Sequence, residues 1–324
     1  MHRHQAFEPL SRTDQRERES RVQSTSRPLC GVLPLTPLFV LLALPILISA
    51  CSSGQNSPHP TAASSALVIQ NKGSDTIVNL ALAWAEAYMK MHPEVRISVT
   101  GGGSGTGIAA MINGTVDIAN ASREIKKEEY EAAKANGHAS TEFVIARDAI
   151  AIVVHPSNPV KGLTLQQISE IYTGRITNWR EVGGADDPIV LLSRESNSGT
   201  YQYMLENVIR LGDSKSKLLF SSETLLMPSS EGISSEIRHN PHAIGYDGLG
   251  YVTADQKVLG VAKDAKSPLI QPSAATVNSG AYPISRPLYM YTAQPPTGKI
   301  KEYMDWILNE GQTLVSELGF VPLH

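Results

Sequence analysis

Three short segments rich in glycine, serine and threonine each lie between a predicted strand and a predicted helix. They are GSDT at 73–76, GGGSGTG at 101–107 and SNSGT at 196–200. Glycine lets the backbone approach a ligand closely, and the first N–H groups of a helix have no partner within that helix. Such helix starts bind anions, but their hydroxyls also serve as helix caps. The junctions therefore predict either an anion site or a set of capped helices.

The segments around these junctions alternate between β-rich runs and runs with a helical period. This alternation is typical of an α/β fold. The strand candidates are LVIQ, VRISVT, VDIAN, PIVLLSR and AIGY, and FVIARDAIAIVVHP is a long apolar stretch between the third of these and the fourth. The helix candidates are TIVNLALAWAEAYMKM, a run from about Ser104, KKEEYEAAKAN, LTLQQISEIYTG, TYQYMLENVIRL and KIKEYMDWILNEG. About 258 residues follow residue 66, which is enough for two modest lobes.

The glycine-rich segment GGGSGTG does not fit the common nucleotide-binding motifs. Counted from Gly101, the sixth position of a dinucleotide fingerprint is Thr106, and counted from Gly103 it is Ile108. No lysine follows Gly107, as a phosphate-binding loop of the Walker type requires. The spacing therefore favours a small oxyanion over a nucleotide.

The N-terminal region has the pattern of a secretory signal. Residues 33–50 carry no charge and follow a polar leader with several arginines. A membrane-spanning helix is the alternative, but prolines at 34, 37 and 45 interrupt the run. ISAC at 48–51 resembles a bacterial lipobox, which implies that Cys51 becomes an acylated (palmitate-bearing) first residue of the mature chain; an ordinary signal peptide with an unmodified Cys51 thiol is the alternative. We expect a signal peptide at 1–50 and a flexible tether over 51–66, which is rich in serine, alanine and proline.

Cysteine content and charge exclude several functions. The only cysteines are Cys30 and Cys51, so the predicted body after residue 66 has no thiol for a disulfide, a thiolate metal site or a nucleophile. Residues 1–50 contain six of the 28 basic and four of the 31 acidic residues, which leaves 22 basic and 27 acidic residues and a net charge of about −5. This acidic balance argues against nucleic acid as a partner.

Six motifs in order resemble one protein family. They are GSDTIV, GGGSGTG, VDIANASR, AIAIVVHPSNPVKGLTLQQISEIYTGRITNWREVGG, RESNSGTY and AIGYDGLGYV. Together they resemble the phosphate-binding lipoproteins that supply bacterial ABC phosphate importers. The resemblance implies a two-lobed periplasmic-binding-protein fold of type II, with phosphate held between the lobes. With crossings near Arg147 and Tyr246, lobe one would comprise 67–146 and 247–324, and lobe two 147–246.

The resemblance also implies which residues bind phosphate. Arg194 would donate paired N–H groups to two oxygens, a geometry that lysine does not reproduce; a surface salt bridge, for example with Glu195, is the alternative. The other predicted ligand-binding residues are Ser74, Asp75, Thr76, Ser104, Gly105, Ser198, Gly199 and Thr200. No cofactor or metal is expected. The implied partners are the permease subunits of an ABC importer and, through the lipid anchor, the membrane; the chain would be a monomer.

Arg123 departs from the family pattern, because many relatives have an acid at this position that accepts the proton of hydrogen phosphate. Such an acceptor distinguishes phosphate from sulfate, because with sulfate bound it would face an oxygen that carries no proton. Asp75 is our candidate for this role, although an N-terminal helix cap suits its position equally. Arg123 would either add a second cation to the site or point into solvent. Two further hypotheses stay open: a binder of sulfate or molybdate, and a phosphate-ester hydrolase on the same scaffold.

Overall fold

A computed structural model describes residues 67–324 of the chain. The predicted signal peptide, Cys51 and the tether lie outside the described residues. The strands are β1 (Leu67–Gly73), β2 (Val95–Thr100), β3 (Ile118–Ala121), β4 (Thr141–Val154), β5 (Gly162–Thr164), β6 (Val190–Arg194), β7 (Leu225–Met227), β8 (Ala243–Gly248), β9 (Lys257–Ala262) and β10 (Ser285–Thr292). The α-helices are α1 (Asp75–Met91), α2 (Ser104–Ile112), α3 (Lys127–Ala135), α4 (Leu165–Tyr172), α5 (Gly199–Tyr203), α6 (Ser230–His239), α7 (Ala274–Asn278), α8 (Gly298–Leu308) and α9 (Gln312–Glu317).

The strands pair in the order β2-β1-β3-β10-β4-β8-β6-β7, with β9 joined to both β4 and β5. Strand β1 is parallel to β2 and β3, and β6 is parallel to β7 and β8. Strands β10 and β4 are antiparallel to their neighbours. Because parallel strands need helical crossovers, helices follow β1, β2 and β6, and those helix starts are the three polar junctions of the sequence.

Strand β4 connects two groups of strands and two hydrophobic cores. Its first part, up to Ala149, pairs with β10, and its second part, from Ile150, pairs with β8 and β9. Ile145 and Ala146 pack in the core formed around α1, whereas Ala149 and Ile150 pack in the core formed around α4 and β8. The strand therefore changes from one core to the other within a few residues of Arg147.

The core formed around α4 and β8 extends along the chain well beyond Tyr246. The core around α4 and β8 contains Tyr246 and also Leu259, Val277 and Ile284. Strand β9, which follows Tyr246, pairs with β4 and β5. Tyr289 and Met290 of β10 pack in the cores on the other side. Tyr251, in contrast, packs in the core around α1, so the segment between Tyr246 and Ser285 contributes to both cores.

The predicted strands and helices are present, but several elements were missed. Strands β5 and β7 have three residues each, which is too short for a periodic signal. Strand β10 contains Arg286 and Pro287, both unusual in the middle of a sheet. Helices α6, α7 and α9 were also absent from the prediction. Within residues 67–324, no helix is both long enough and apolar enough to span a membrane.

Candidate functional site

The first junction joins β1 to α1 and brings Ser74 against the end of β3. Gly73 is required here, since a Cβ atom at this position would lie 2.1 Å from the carbonyl oxygen of Asn120 and its φ is +147°. Ser74 precedes the helix, but its hydroxyl does not cap it. Instead, Ser74 Oγ donates to Ser122 Oγ at 3.0 Å. The hydroxyl therefore points toward a neighbouring segment rather than along its own helix.

The second junction joins β2 to α2 and packs against the first. The Gly103 N–H donates to the carbonyl oxygen of Gly73 at 3.0 Å, and Gly103 has a φ of +91°. Ser104, the first residue of α2, is fully buried, and its Oγ accepts the N–H of Ser122 at 3.0 Å. The Ser104 and Ser122 hydroxyls lie 3.3 Å apart. Ser74, Ser104 and Ser122 thus form one buried hydroxyl cluster.

The third junction joins β6 to α5 and lies directly against this cluster. A Cβ atom on Gly199 would come within 2.4 Å of Ser104 Oγ and 2.6 Å of Ser122 Oγ, so only glycine fits. Ser198 does act as a helix cap, because its Oγ accepts the backbone N–H groups of Thr200 and Tyr201. The cap interpretation is therefore correct for Ser198 in this structure.

Two threonines join the first and third junctions. Thr76 Oγ1 and Thr200 Oγ1 lie 2.9 Å apart, and both side chains are buried. They stand 124 positions apart in the sequence, so the contact depends entirely on the tertiary fold. The structure therefore brings Ser74, Thr76, Ser104, Gly199 and Thr200 into one small volume.

Arg194 lies at the end of β6 and is 1% exposed. Its Nη2 donates to Asp75 Oδ2 at 2.8 Å and to the Pro228 carbonyl at 3.1 Å, and its Nη1 donates to Ser230 Oγ at 3.0 Å. Asp75 Oδ1 in turn accepts the N–H of Gly102 at 2.9 Å. Arg194 therefore joins the third junction to the first through a buried ion pair, and the expected alternative of a surface salt bridge with Glu195 is wrong.

Arg123 is held away from the hydroxyl cluster by an ion pair of its own. Its Nη1 and Nη2 donate to the two carboxylate oxygens of Glu129 at 2.8 and 2.7 Å. This pairing lowers the pKa of Glu129 against the opposing effect of its burial. The guanidinium lies beside Gly105, where a Cβ atom would be 3.8 Å from Nη2. Arg123 thus neither points into solvent nor hydrogen-bonds to the three junctions.

The backbone of Gly105 joins the second junction to the third. Its backbone N–H donates to the carbonyl oxygen of Asn197 at 3.0 Å, so in this structure it serves a contact between the second and third junctions. Both segments had been identified in the sequence, but their direct contact had not.

A second buried arginine–aspartate pair, which the sequence analysis did not identify, lies next to the hydroxyl cluster. Arg286 on β10 lies opposite Asp148 on β4, and its Nη2 donates to Asp148 Oδ2 at 3.0 Å. The same Nη2 donates to Thr200 Oγ1 at 2.9 Å, while Nη1 donates to the Ser122 carbonyl at 2.9 Å. One signal was available, since Asp148 is a charged residue within a long apolar strand.

Burial shifts the ionisation of two carboxylates near the arginines. Burial raises the pKa of Asp148, and the Arg286 charge opposes this shift. Burial also raises the pKa of Asp247 to about 7, although the positive charge of Arg194 lowers it. Asp247 Oδ1 accepts the N–H of Gly248, while Oδ2 has no hydrogen-bond partner among the described residues.

A cleft of about 410 Å³ opens beside the cluster. Its wall includes Ser122, Arg123, Tyr203, Arg286 and Tyr289. Ser122 and Arg286 belong both to this wall and to the hydrogen-bonded cluster, whereas Arg123 is the one predicted ligand-binding residue that lines the cleft. Hydroxyl and guanidinium donors gathered in one place suit a compact oxyanion, because each oxygen accepts several hydrogen bonds.

Comparisons with known proteins agree with this geometry. The family model described as the PBP superfamily domain matches residues 58–310. The phosphate-binding protein PstS of Pseudomonas aeruginosa is 32% identical over 79% of this chain and 83% of its own length. PstS of Bacillus subtilis is 30% identical over 89% and 94% of the two chains.

Solved structures show the same fold. A Clostridium perfringens protein crystallised with bound phosphate is 34% identical, with a TM-score of 0.70, over 79% of this chain and all of its own. An ABC-type phosphate transport receptor from Vibrio cholerae is 29% identical, with a TM-score of 0.62, over 78% and 99% of the two chains. The chain therefore belongs to the PBP superfamily and, within it, to the family of PstS phosphate-binding proteins. The expected two-lobed periplasmic-binding-protein fold is confirmed.

Proposed function

We propose that this chain captures inorganic phosphate outside the cytoplasm and delivers it to an ABC importer. The observation that carries the proposal is the meeting of three helix starts, buried serine and threonine hydroxyls and Arg194 in one volume. Relatives that align along most of the chain are named as phosphate-binding proteins. The proposed ligand contacts are the Arg194 guanidinium and the hydroxyls of Ser74, Thr76, Ser104 and Thr200, supported by the backbone at Gly199.

The lobes would close around the ligand. We propose that lobe one comprises about 67–146 and 285–324, and lobe two about 147–284, because most buried residues of the two larger cores change over at these positions; Tyr251 and Val321 are exceptions, each packing in the core of the other lobe. The first two junctions then belong to lobe one and the third to lobe two. Since each lobe holds only part of the donors, binding would favour the closed arrangement, which a permease can distinguish from the open one.

Asp75 is our candidate for the group that selects phosphate over sulfate. Its carboxylate already accepts hydrogen bonds from Arg194 and Gly102, and each oxygen keeps a second lone pair. A protonated oxygen of hydrogen phosphate could donate to it, whereas sulfate offers no proton. This role requires Asp75→Asn to lose the preference for phosphate, and an unchanged preference would reject it.

We further propose that the mature chain is a monomeric lipoprotein attached through Cys51. The lipobox-like ISAC sequence supports this attachment. Cys51→Ala is expected to leave the protein exported but to remove it from the membrane fraction after lysis. Membrane partitioning equal to that of the wild type would reject acylation at this position.

The deciding experiment is calorimetric titration of the anion-free protein with phosphate, sulfate and molybdate. We expect saturable binding of phosphate and no comparable response to sulfate or molybdate. A response to sulfate or molybdate alone would mean that this oxyanion, and not phosphate, is the ligand. No response, together with phosphate release from a chromogenic phosphoester, would support the hydrolase alternative, which the names of the relatives do not favour.

A further inference from the structure

Asn197 lies in the loop between β6 and α5, at the exposed rim of the site. Its side-chain Nδ2 donates to the Gly102 carbonyl at 2.9 Å and lies 3.4 Å from Thr106 Oγ1. Its own backbone carbonyl accepts the N–H of Gly105 at 3.0 Å. One residue of the third junction therefore holds the glycine-rich second junction with both its side chain and its backbone.

The glycine-rich loop is shaped to receive this residue. A Cβ atom on Gly103 would lie 2.9 Å from the Asn197 carbonyl oxygen, and the φ of +91° at this glycine disfavours any other residue. Thr106 Oγ1 donates to the Gly102 carbonyl at 2.6 Å and so fixes the local shape of the loop.

The side-chain contacts of Asn197 do not compete with an anion for donors. The Gly102 carbonyl is only an acceptor, so an anion gains nothing from it. The Thr106 hydroxyl already donates to that carbonyl. The contact can therefore form together with ligand binding, and it exists only while the second and third junctions meet.

We propose that Asn197 is a positioning residue that latches the closed arrangement. This proposal rests on the proposed function, in which closure accompanies phosphate binding. A contact made only in the closed arrangement stabilises that arrangement and slows ligand release, while the open arrangement meets ligand at an unchanged rate.

The test compares Asn197→Ala with Asn309→Ala. Asn309 is also exposed, and its amide donates to the Asp305 carbonyl within its own helix, far along the chain from the junctions. We expect Asn197→Ala to raise the phosphate dissociation rate about 3- to 10-fold, as loss of one or two solvent-exposed hydrogen bonds implies. The association rate and the thermal midpoint should stay within the range of the control variant.

An unchanged dissociation rate in Asn197→Ala would overturn the proposal, as would a slower association with normal release. Hydrogen exchange of the 101–107 segment gives a readout that does not depend on phosphate. Exchange should be faster in Asn197→Ala than in Asn309→Ala, because the Gly105 N–H is less often paired. If neither the wild type nor the variants bind phosphate, the proposed function is wrong. The exchange measurement alone then tests whether Asn197 holds the second and third junctions together.

Discussion

The two buried arginine–aspartate pairs of this protein resemble each other chemically but differ in what they join. Arg286 and Asp148 lie opposite each other on adjacent strands, with side chains 2% and 0% exposed. Arg194 and Asp75 are separated by 119 positions and join two junctions, with side chains 2% and 12% exposed. A pair within one sheet builds the framework, whereas the Arg194–Asp75 pair holds together two junctions that lie far apart in the sequence.

The largest expected effect concerns the framework pair. Arg286→Met removes the cation but leaves Asp148 buried, so the free energy of unfolding should fall by about 3–5 kcal/mol. Urea denaturation followed by circular dichroism measures this change. A loss below about 1 kcal/mol would show that the pair is not part of the framework.

Asp247 gives a second test of the comparison between the two pairs, because the charge of Arg194 acts on its carboxylate. Its pKa is raised to about 7 from a usual value of 3.8, so between these values the folded protein retains a proton that the unfolded chain has lost. The free energy of unfolding should therefore fall as pH rises from about 4 to 7. Asp247→Asn removes this slope and should be more stable than the wild type above pH 7 by roughly 2–4 kcal/mol.

Urea denaturation at pH 4.5, 6 and 8 tests this prediction, with the two proteins nearly equal at the lowest pH. Parallel pH profiles for Asp247→Asn and the wild type would contradict it.

Asp75 is the residue of the Arg194–Asp75 pair that should affect anion selectivity. Asp75→Asn keeps the size of the side chain but removes the charge, so the ratio of phosphate to sulfate affinity should fall by about 10- to 100-fold, the cost of 1–3 kcal/mol for an unmatched buried group. Competition calorimetry with both anions measures the ratio. Asp148→Asn is not a suitable control, because its pair supports the fold; Asp117→Asn, outside the three junctions, is preferable.

Arg123 should have the smallest effect on binding. Its two terminal nitrogens are paired with Glu129, so Arg123→Ala should change phosphate affinity less than about threefold and reduce stability by about 1 kcal/mol. Calorimetry and thermal unfolding measure the two quantities. A loss of binding above tenfold would place Arg123 in the ligand site after all.

Much of the fold could be predicted from the sequence. The alternation of strands and helices and the six ordered motifs gave the correct class, and the three polar junctions do meet. The position of the return crossing stays a prediction, because AIGY indicates a strand without showing its partners, and β9 packs in the same core after it.

The site could be predicted only in part. Glycine, serine and threonine at strand ends identify candidate helix starts. A sequence does not show which of these side chains cap a helix and which hydrogen-bond to a neighbouring segment. Ser198 caps, whereas Ser74 and Ser104 do not. Arg286 was missed because it precedes a proline in an otherwise apolar strand, and its partner stands 138 positions away.

Phosphate calorimetry on the wild type and Arg194→Lys tests the central claim most directly. Lysine keeps the charge but loses the paired N–H geometry. The account predicts saturable phosphate binding by the wild type and an affinity about 10- to 100-fold weaker in Arg194→Lys, with both proteins folded. Equal affinity in the two proteins would contradict the assignment of Arg194 as the residue that binds the anion.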